Sequence, residues 1–145
     1  MKSMKTLVAV VVAAMILCLT GCKKDYENLI VGSWEQTSMS LTVTSSQMDQ
    51  PWSETWTPEE GERTVITFNN DNTVTVVETN HDETETTRGT YNVDGDKLTM
   101  TMDGETETFN IDKLDSKNLS ISYSESGTEE GVTYTESMVV NFKKV

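Results

Sequence analysis

The feature that most constrains this chain is its punctuation. From Gly32 onward, turn-forming clusters recur every 8–12 residues, and between them β-branched side chains alternate with polar ones. Asn69-Asn70-Asp71-Asn72 separates VITF from TVTVV, Asp94-Gly95-Asp96 separates GTYNV from KLTM, and Asp103-Gly104 leads into ETETFNI. Further on, Ser116-Lys117-Asn118 precedes LSISYSE, and Ser126 to Gly131 precedes VTYTESMVVNF. The two Asp-Gly pairs suit tight hairpins, because glycine accepts the positive φ that such turns need. No window carries the i, i+3, i+4, i+7 apolar spacing of an amphipathic helix.

This spacing predicts eight strands, over 32–44, 63–69, 73–79, 84–93, 97–102, 105–113, 118–125 and 132–143. Nearly all connections are short, so strands adjacent in sequence pair as antiparallel neighbours. A meander of that size removes its exposed edges by closing on itself. A β-sandwich usually needs several longer crossovers, and the chain has no place for several of them. The expected fold class is all-β, an eight-stranded antiparallel up-and-down barrel.

Ahead of the strands the text changes character. Lys2 and Lys5 precede an unbroken apolar run from Leu7 to Leu19, which is too short for a helix crossing about 30 Å of hydrocarbon and suits a signal peptide. Leu19-Thr20-Gly21-Cys22 then resembles a bacterial lipobox, in which the cysteine is acylated. The expected organisation is therefore a lipoprotein signal peptide over 1–21, lipidated Cys22 with a short tether over 22–31, and the barrel domain over 32–145. The tether spans at most about 30 Å, which keeps the domain near the membrane. Multiple acyl chains anchor stably where one does not. The lack of an aspartate after Cys22 resembles outer-membrane-directed lipoproteins, so the expected location is the outer membrane of the cell envelope, facing the periplasm or the outside.

Cys18 leaves with such a signal and Cys22 carries lipid, so the domain has no thiol for a disulfide, a nucleophile or a metal. The chain has 24 acids against 11 basic residues, and loss of Lys2 and Lys5 widens that gap. Such a surface repels phosphate backbones, which excludes nucleic acid as a partner.

Gly32-Ser33-Trp34 opens the first strand, and the order G-x-W, I-T-F, G-T-Y, K-L-T follows along the chain. Its pieces are LIVGSWEQT (29–37), VITFNNDNTVTV (65–76), RGTYNVDGDKLTMT (88–101) and FNIDKLDSKNLSISY (109–123). In this the chain resembles the lipocalin-like lipoproteins of the Bacteroidetes, within the wider calycin group. The resemblance implies a structural role for Gly32 and Trp34, with Trp34 plugging the closed end. It also implies a late cation over that ring. Many lipocalins place an arginine there, and here Lys143 is the expected substitute. Core packing alone assigns Trp34 the same place.

Signals for catalysis are sparse. The single histidine, His81, falls in turn-like text, and the acidic groups Glu59/Glu60/Glu62, Asp82/Glu83/Glu85, Glu105/Glu107 and Glu129/Glu130 flank turns. Solvated faces are the default there, although paired carboxylates can hydrolyse glycosides. Asp94-Gly95-Asp96 and Asn69 to Asn72 offer oxygen ligands, but neither matches an EF-hand loop. The expectation is no enzyme, no metal and no cofactor.

Binding is the better reading. Eight strands enclose a space just wide enough for one small ligand. Alternation turns a set of apolar residues inward, and the candidate ligand contacts are Phe68, Tyr91, Met100, Met102, Phe109, Tyr123, Tyr134 and Met138. Methionines adapt to a bound shape and tyrosines add polar handles. The alternative is that these side chains fill the interior. Ser45 to Glu62 is the longest connection and holds Trp52 and Trp56 between Pro51 and Pro58. Long connections often serve as lids or binding elements; the resemblance implies a loop across the mouth, and the alternative is an extension of the first hairpin. The expected partners are the membrane through Cys22, a small apolar or amphipathic ligand, or a glycan or protein meeting the Trp52/Trp56 segment.

Overall fold

The computed structural model describes residues 25–145. The expected signal peptide and Cys22 lie outside those residues. The short helix α1 (Tyr26–Ile30) leads into nine strands: β1 (Gly32–Ser45), β2 (Trp52–Trp56), β3 (Glu62–Phe68), β4 (Thr73–Asn80), β5 (Glu83–Asp94), β6 (Lys97–Met102), β7 (Glu105–Leu114), β8 (Asn118–Glu129) and β9 (Val132–Lys144). All eight expected strands form. β3 to β9 pair in sequence order, all antiparallel, and β9 returns to pair with β1 from Trp34 to Ser45. That last pairing closes the barrel.

The ninth strand lies inside the segment expected as a long loop. β2 pairs with the far half of β1, Met39 opposite Trp56 through Val43 opposite Trp52. The segment extends the first hairpin rather than lying across the mouth. Pro51 and Pro58 flank β2, and proline supplies no N–H to a ladder, so neither extends the pairing.

Residues 26–30, expected within the tether, belong to the domain. Asp25 caps α1 by accepting from the Asn28 backbone N–H, and Tyr26 and Ile30 are buried beneath the barrel's closed end. Ile30, fully buried, also presents its carbonyl to the Trp34 indole N–H at 2.7 Å. A helix of five residues does not stand alone in water; burial of Tyr26 and Ile30 holds it.

Side chains on a strand alternate between faces, and directly opposed residues share a face. The inward set at the closed end, Trp34, Ile66, Phe68, Val74, Tyr91, Val93, Leu98, Ile111, Leu119, Ile121, Val140 and Phe142, makes one buried cluster. Trp34, Phe68, Leu98, Leu119 and Val74 are wholly buried, each worth about 1.5–3 kcal/mol when removed from water. This half of the barrel is filled. The outward face is a lattice of hydroxyl pairs, including Thr99 with Thr108, Thr101 with Thr106, Ser40 with Thr55, and Ser126 with Thr135. That lattice accounts for the abundant threonine: β-branching suits the strand while the hydroxyl faces water.

Candidate functional site: the open end of the barrel

The two ends of the barrel differ because the pairings do. Around the closed end every strand is bonded on both sides. Past Glu35 opposite Val65, β1 exchanges β3 for β2. The β7–β8 ladder covers only Asn110 to Leu114 against Leu119 to Ser122, although both strands run on toward the mouth. The open end therefore divides into two walls: β2-β1-β9-β8 and β3-β4-β5-β6-β7.

The inner surface of the second wall holds a recess of about 360 Å³ lined by Val76, Met100, Met102, Phe109 and the carboxylates of Glu78, Glu105 and Glu107. A larger open notch of about 740 Å³ lies where β2 and β3 diverge, between Trp56 and Pro58 on one side and Glu78, Asn80 and Glu85 on the other. The notch is the bigger space, but its lining is mostly polar. The recess has the apolar floor that a small-molecule site needs.

The candidate ligand contacts separate into three groups. Met100, Met102 and Phe109 line the recess. Tyr123 and Met138 oppose each other on the first wall, and the Tyr123 ring lies 6.0 Å from that of Phe109, where the two walls approach. The Tyr123 hydroxyl donates to Glu125 at 3.3 Å, and the charge of Glu125, with burial and Glu107 adding to it, pushes the phenol's pKa up. Trp52, Trp56 and Tyr134 on the same wall are 45%, 38% and 38% exposed; Trp52 and Tyr134 lie higher, while Trp56 is in register with Met39 and Val140. Register places Trp52 with Val43 and Trp56 with Met39 on the inner face.

Phe68 and Tyr91 correct the expectation. Both are buried in the filled half, ring against ring at 4.9 Å in an edge-to-face pair. The Tyr91 hydroxyl donates to the Asn69 carbonyl at 2.8 Å, and burial raises its pKa. They are floor, not lining. Alternation finds the inward face but not the depth along it.

The cation over Trp34 is also corrected. Lys144, not Lys143, stands 4.8 Å from the centre of the Trp34 ring. Lys143 points outward and pairs with Glu35 at 3.2 Å, while Arg63 holds the same carboxylate at 2.8 Å; these two partners lower the Glu35 pKa.

Register also exposes a set of residues that apolar alternation does not find. Glu78 opposes Glu85, Glu125 opposes Glu136, and Met100 opposes Glu107. Because Met100 faces inward, so does Glu107, and Glu78 lies on the recess lining. Val43 opposes Glu136, which puts that side chain inward as well. The signal is present in the sequence for Glu78, Glu107, Glu125 and Glu136, each two residues from an apolar inward position; Glu85 is placed only by its register with Glu78.

Among the described residues no group of three or more His, Cys, Asp and Glu side chains is placed to hold a metal ion. His81 sits at the β4–β5 turn, its ring bonded to Asn80. No described helix is long and apolar enough to cross a membrane.

A closed antiparallel barrel with a packed base, a Gly-x-Trp at its first strand and an open, half-apolar mouth defines the lipocalin-like class. The chain belongs to that family: residues 30–121 match the model of the lipocalin-like domain. Among solved structures it is similar to a lipocalin-like protein from Bacteroides uniformis ATCC 8492, with 14% identity, a TM-score of 0.50, and coverage of 80% of this chain and 98% of that one. It also matches an uncharacterized protein from Bacteroides eggerthii DSM 20697 at 14% identity and a TM-score of 0.49, covering 80% of this chain and 99% of that one. At 14% identity the likeness to the Bacteroides uniformis protein is one of fold alone. None of the curated proteins matches the chain.

Proposed function

We propose that this protein is an envelope binding protein, anchored through acylated Cys22, that holds a small apolar-bodied molecule in the open half of its barrel without transforming it. The recess over Met100, Met102 and Phe109 carries the reading. It is an apolar floor open to solvent above a fully packed base, which gives a ligand a preformed surface to bury without unfolding anything. The fold favours binding over catalysis, and among the described residues the inner face offers carboxylates and hydroxyls without a nucleophile–base pair.

Native mass spectrometry of the full chain released gently from its membrane tests this. A discrete adduct is expected, lost when Met102→Trp fills the recess while the variant keeps its strand content by circular dichroism. An adduct unaffected by Met102→Trp, or none after incubation with envelope lipid extracts, removes the recess as a binding site.

A second reading rests on a separate observation. Trp52 and Trp56 stand exposed on β2, with Trp56 lining the polar notch, an arrangement suited to stacking on a sugar ring or meeting a protein partner. Glycan-array binding that vanishes in the Trp52→Ala/Trp56→Ala variant selects it.

A further inference from the structure

The charge on the inner walls narrows the ligand class further. Above the packed base, register turns Glu78, Glu85, Glu107, Glu125 and Glu136 inward, and Glu105 joins them on the recess lining. Like charges directly opposed across a ladder destabilise it, and two such pairs, Glu78 with Glu85 and Glu125 with Glu136, recur in the two walls. Among the described residues no lysine or arginine lines the recess. Arg63 borders the notch that Glu78 and Glu85 also line, but register turns it to the outward face, where it is bonded to Glu35. Arg88 opposes Thr75, one position out of phase with inward Val76. The lysines belong to the outer face or the closed end, with Lys97 on Asn110, Lys113 near Asp115, and Lys143 and Lys144 beside Glu35 and Trp34.

The same inner surface carries aromatic faces. Trp52 and Trp56 project from β2, and the Tyr134 ring occupies the space above Gly127, where a β-carbon would come within 2.4 Å of the hydroxyl. Carboxylates neutralise an ammonium or guanidinium head, and indole and phenol faces attract it through the ring quadrupole. Neutral and anionic amphiphiles gain nothing from the first and are repelled or unaffected. Below the carboxylates lies an apolar floor of Val76, Met100 and Phe109.

Resting on the binding reading above, we infer that the occupant of the barrel mouth is a small organic cation, an ammonium or guanidinium head on an apolar body. The body lies on the methionine and phenylalanine floor, and the head sits among the inward glutamates and the tryptophan faces. Charge complementarity selects this occupant over a neutral lipid.

The test uses the full chain and three probes of one shape and different charge: 4-phenylbutylamine, 4-phenylbutanol and 4-phenylbutyrate, titrated by calorimetry at neutral pH. Expected affinity falls in that order, the amine binding at least about tenfold tighter than the alcohol, consistent with partly screened ion pairs plus a cation–π contact. Raising salt narrows the gap. Glu78→Gln/Glu107→Gln/Glu136→Gln removes the amine's advantage while leaving alcohol binding in place, which also shows that the variant is folded. Equal binding of amine and alcohol overturns the cation inference and leaves the recess as a neutral site. Binding of none of the three overturns the recess reading together with it. A concentration-dependent dimer in sedimentation, blocking amine binding, assigns the mouth to a second copy and overturns the inference.

Discussion

Lys144 lies over Trp34, its ammonium 4.8 Å from the ring centre and donating to the carbonyls of Val31 at 2.9 Å and Leu29 at 3.4 Å. One side chain thus ties the end of the last strand to the helix that caps the barrel and to the residue that plugs it. It also explains Gly32, whose φ is +126° and whose missing side chain leaves room for the lysine stem; a β-carbon there would come within 2.8 Å of Lys144 Cε. Two requirements, left-handed backbone and close approach, converge on one position.

Lys144→Ala is therefore expected to destabilise the fold by about 1–2 kcal/mol, from a lost cation–π contact and charge-assisted hydrogen bonds that leave carbonyls unpaired. Lys144→Arg retains most of that stability, since a guanidinium both stacks and donates. Urea midpoints of the two variants decide the matter. Equal losses from both would show that the contact is incidental.

Gly89 faces a different constraint. It lies opposite Val74 and Met102 on β5, and a β-carbon there would meet the Thr101 carbonyl oxygen at 2.0 Å. A backbone atom cannot move aside as a flexible side chain does. Gly89→Ala should cost about 3 kcal/mol or more, read as a lowered denaturation midpoint. A neutral Gly89→Ala would mean that β5 and β6 are farther apart than described.

Asp115 shapes acid stability. Its carboxylate accepts from the backbone N–H groups of Lys117 and Asn118, both at 2.8 Å, and these bonds lower its pKa from 3.8 to about 2. A group whose pKa is lower folded than unfolded stabilises the fold above its unfolded value, and loses that contribution as pH falls through the folded one. The melting-temperature gap between the wild type and Asp115→Ala should be full above about pH 4 and close as pH approaches 2. A gap constant from pH 6 to pH 2 contradicts the assignment.

Tyr91→Phe separates floor from lining. Removing the hydroxyl leaves the Asn69 carbonyl without that 2.8 Å donor, at a cost of about 1–2 kcal/mol. Probe binding at the mouth should stay as in the wild type. A weakened affinity would place Tyr91 back among the ligand contacts.

Much of this was legible from residues alone, and the reasons are local. Asp94-Gly95, Asp103-Gly104 and the Asn69–Asn72 cluster each end one strand and start another, because turn chemistry acts over four residues and needs no tertiary support. The inward partners Ile66, Val74, Leu98 and Ile121 follow from a period of two. β2 was hidden for the converse reason. WSETW is short, more than half polar and exposed along its length, and only the already formed far half of β1 gives it a ladder to join. α1 was hidden in the same way, since Tyr26 and Ile30 acquire a surface to bury against only once the barrel closes.

The site divides along the same line. By itself the sequence determined the alternation, the turns, the Gly32-x-Trp34 opening and the excess of acid, all properties of residues and their near neighbours. Only the tertiary structure decided which of Lys143 and Lys144 meets Trp34, how deep Phe68 and Tyr91 lie, and that glutamates of five strands face inward from the two walls. Those outcomes depend on strand register and on where the β1–β3 and β7–β8 ladders stop. A ladder's end is set by closure of the whole sheet, a long-range geometric condition that no short stretch of residues carries.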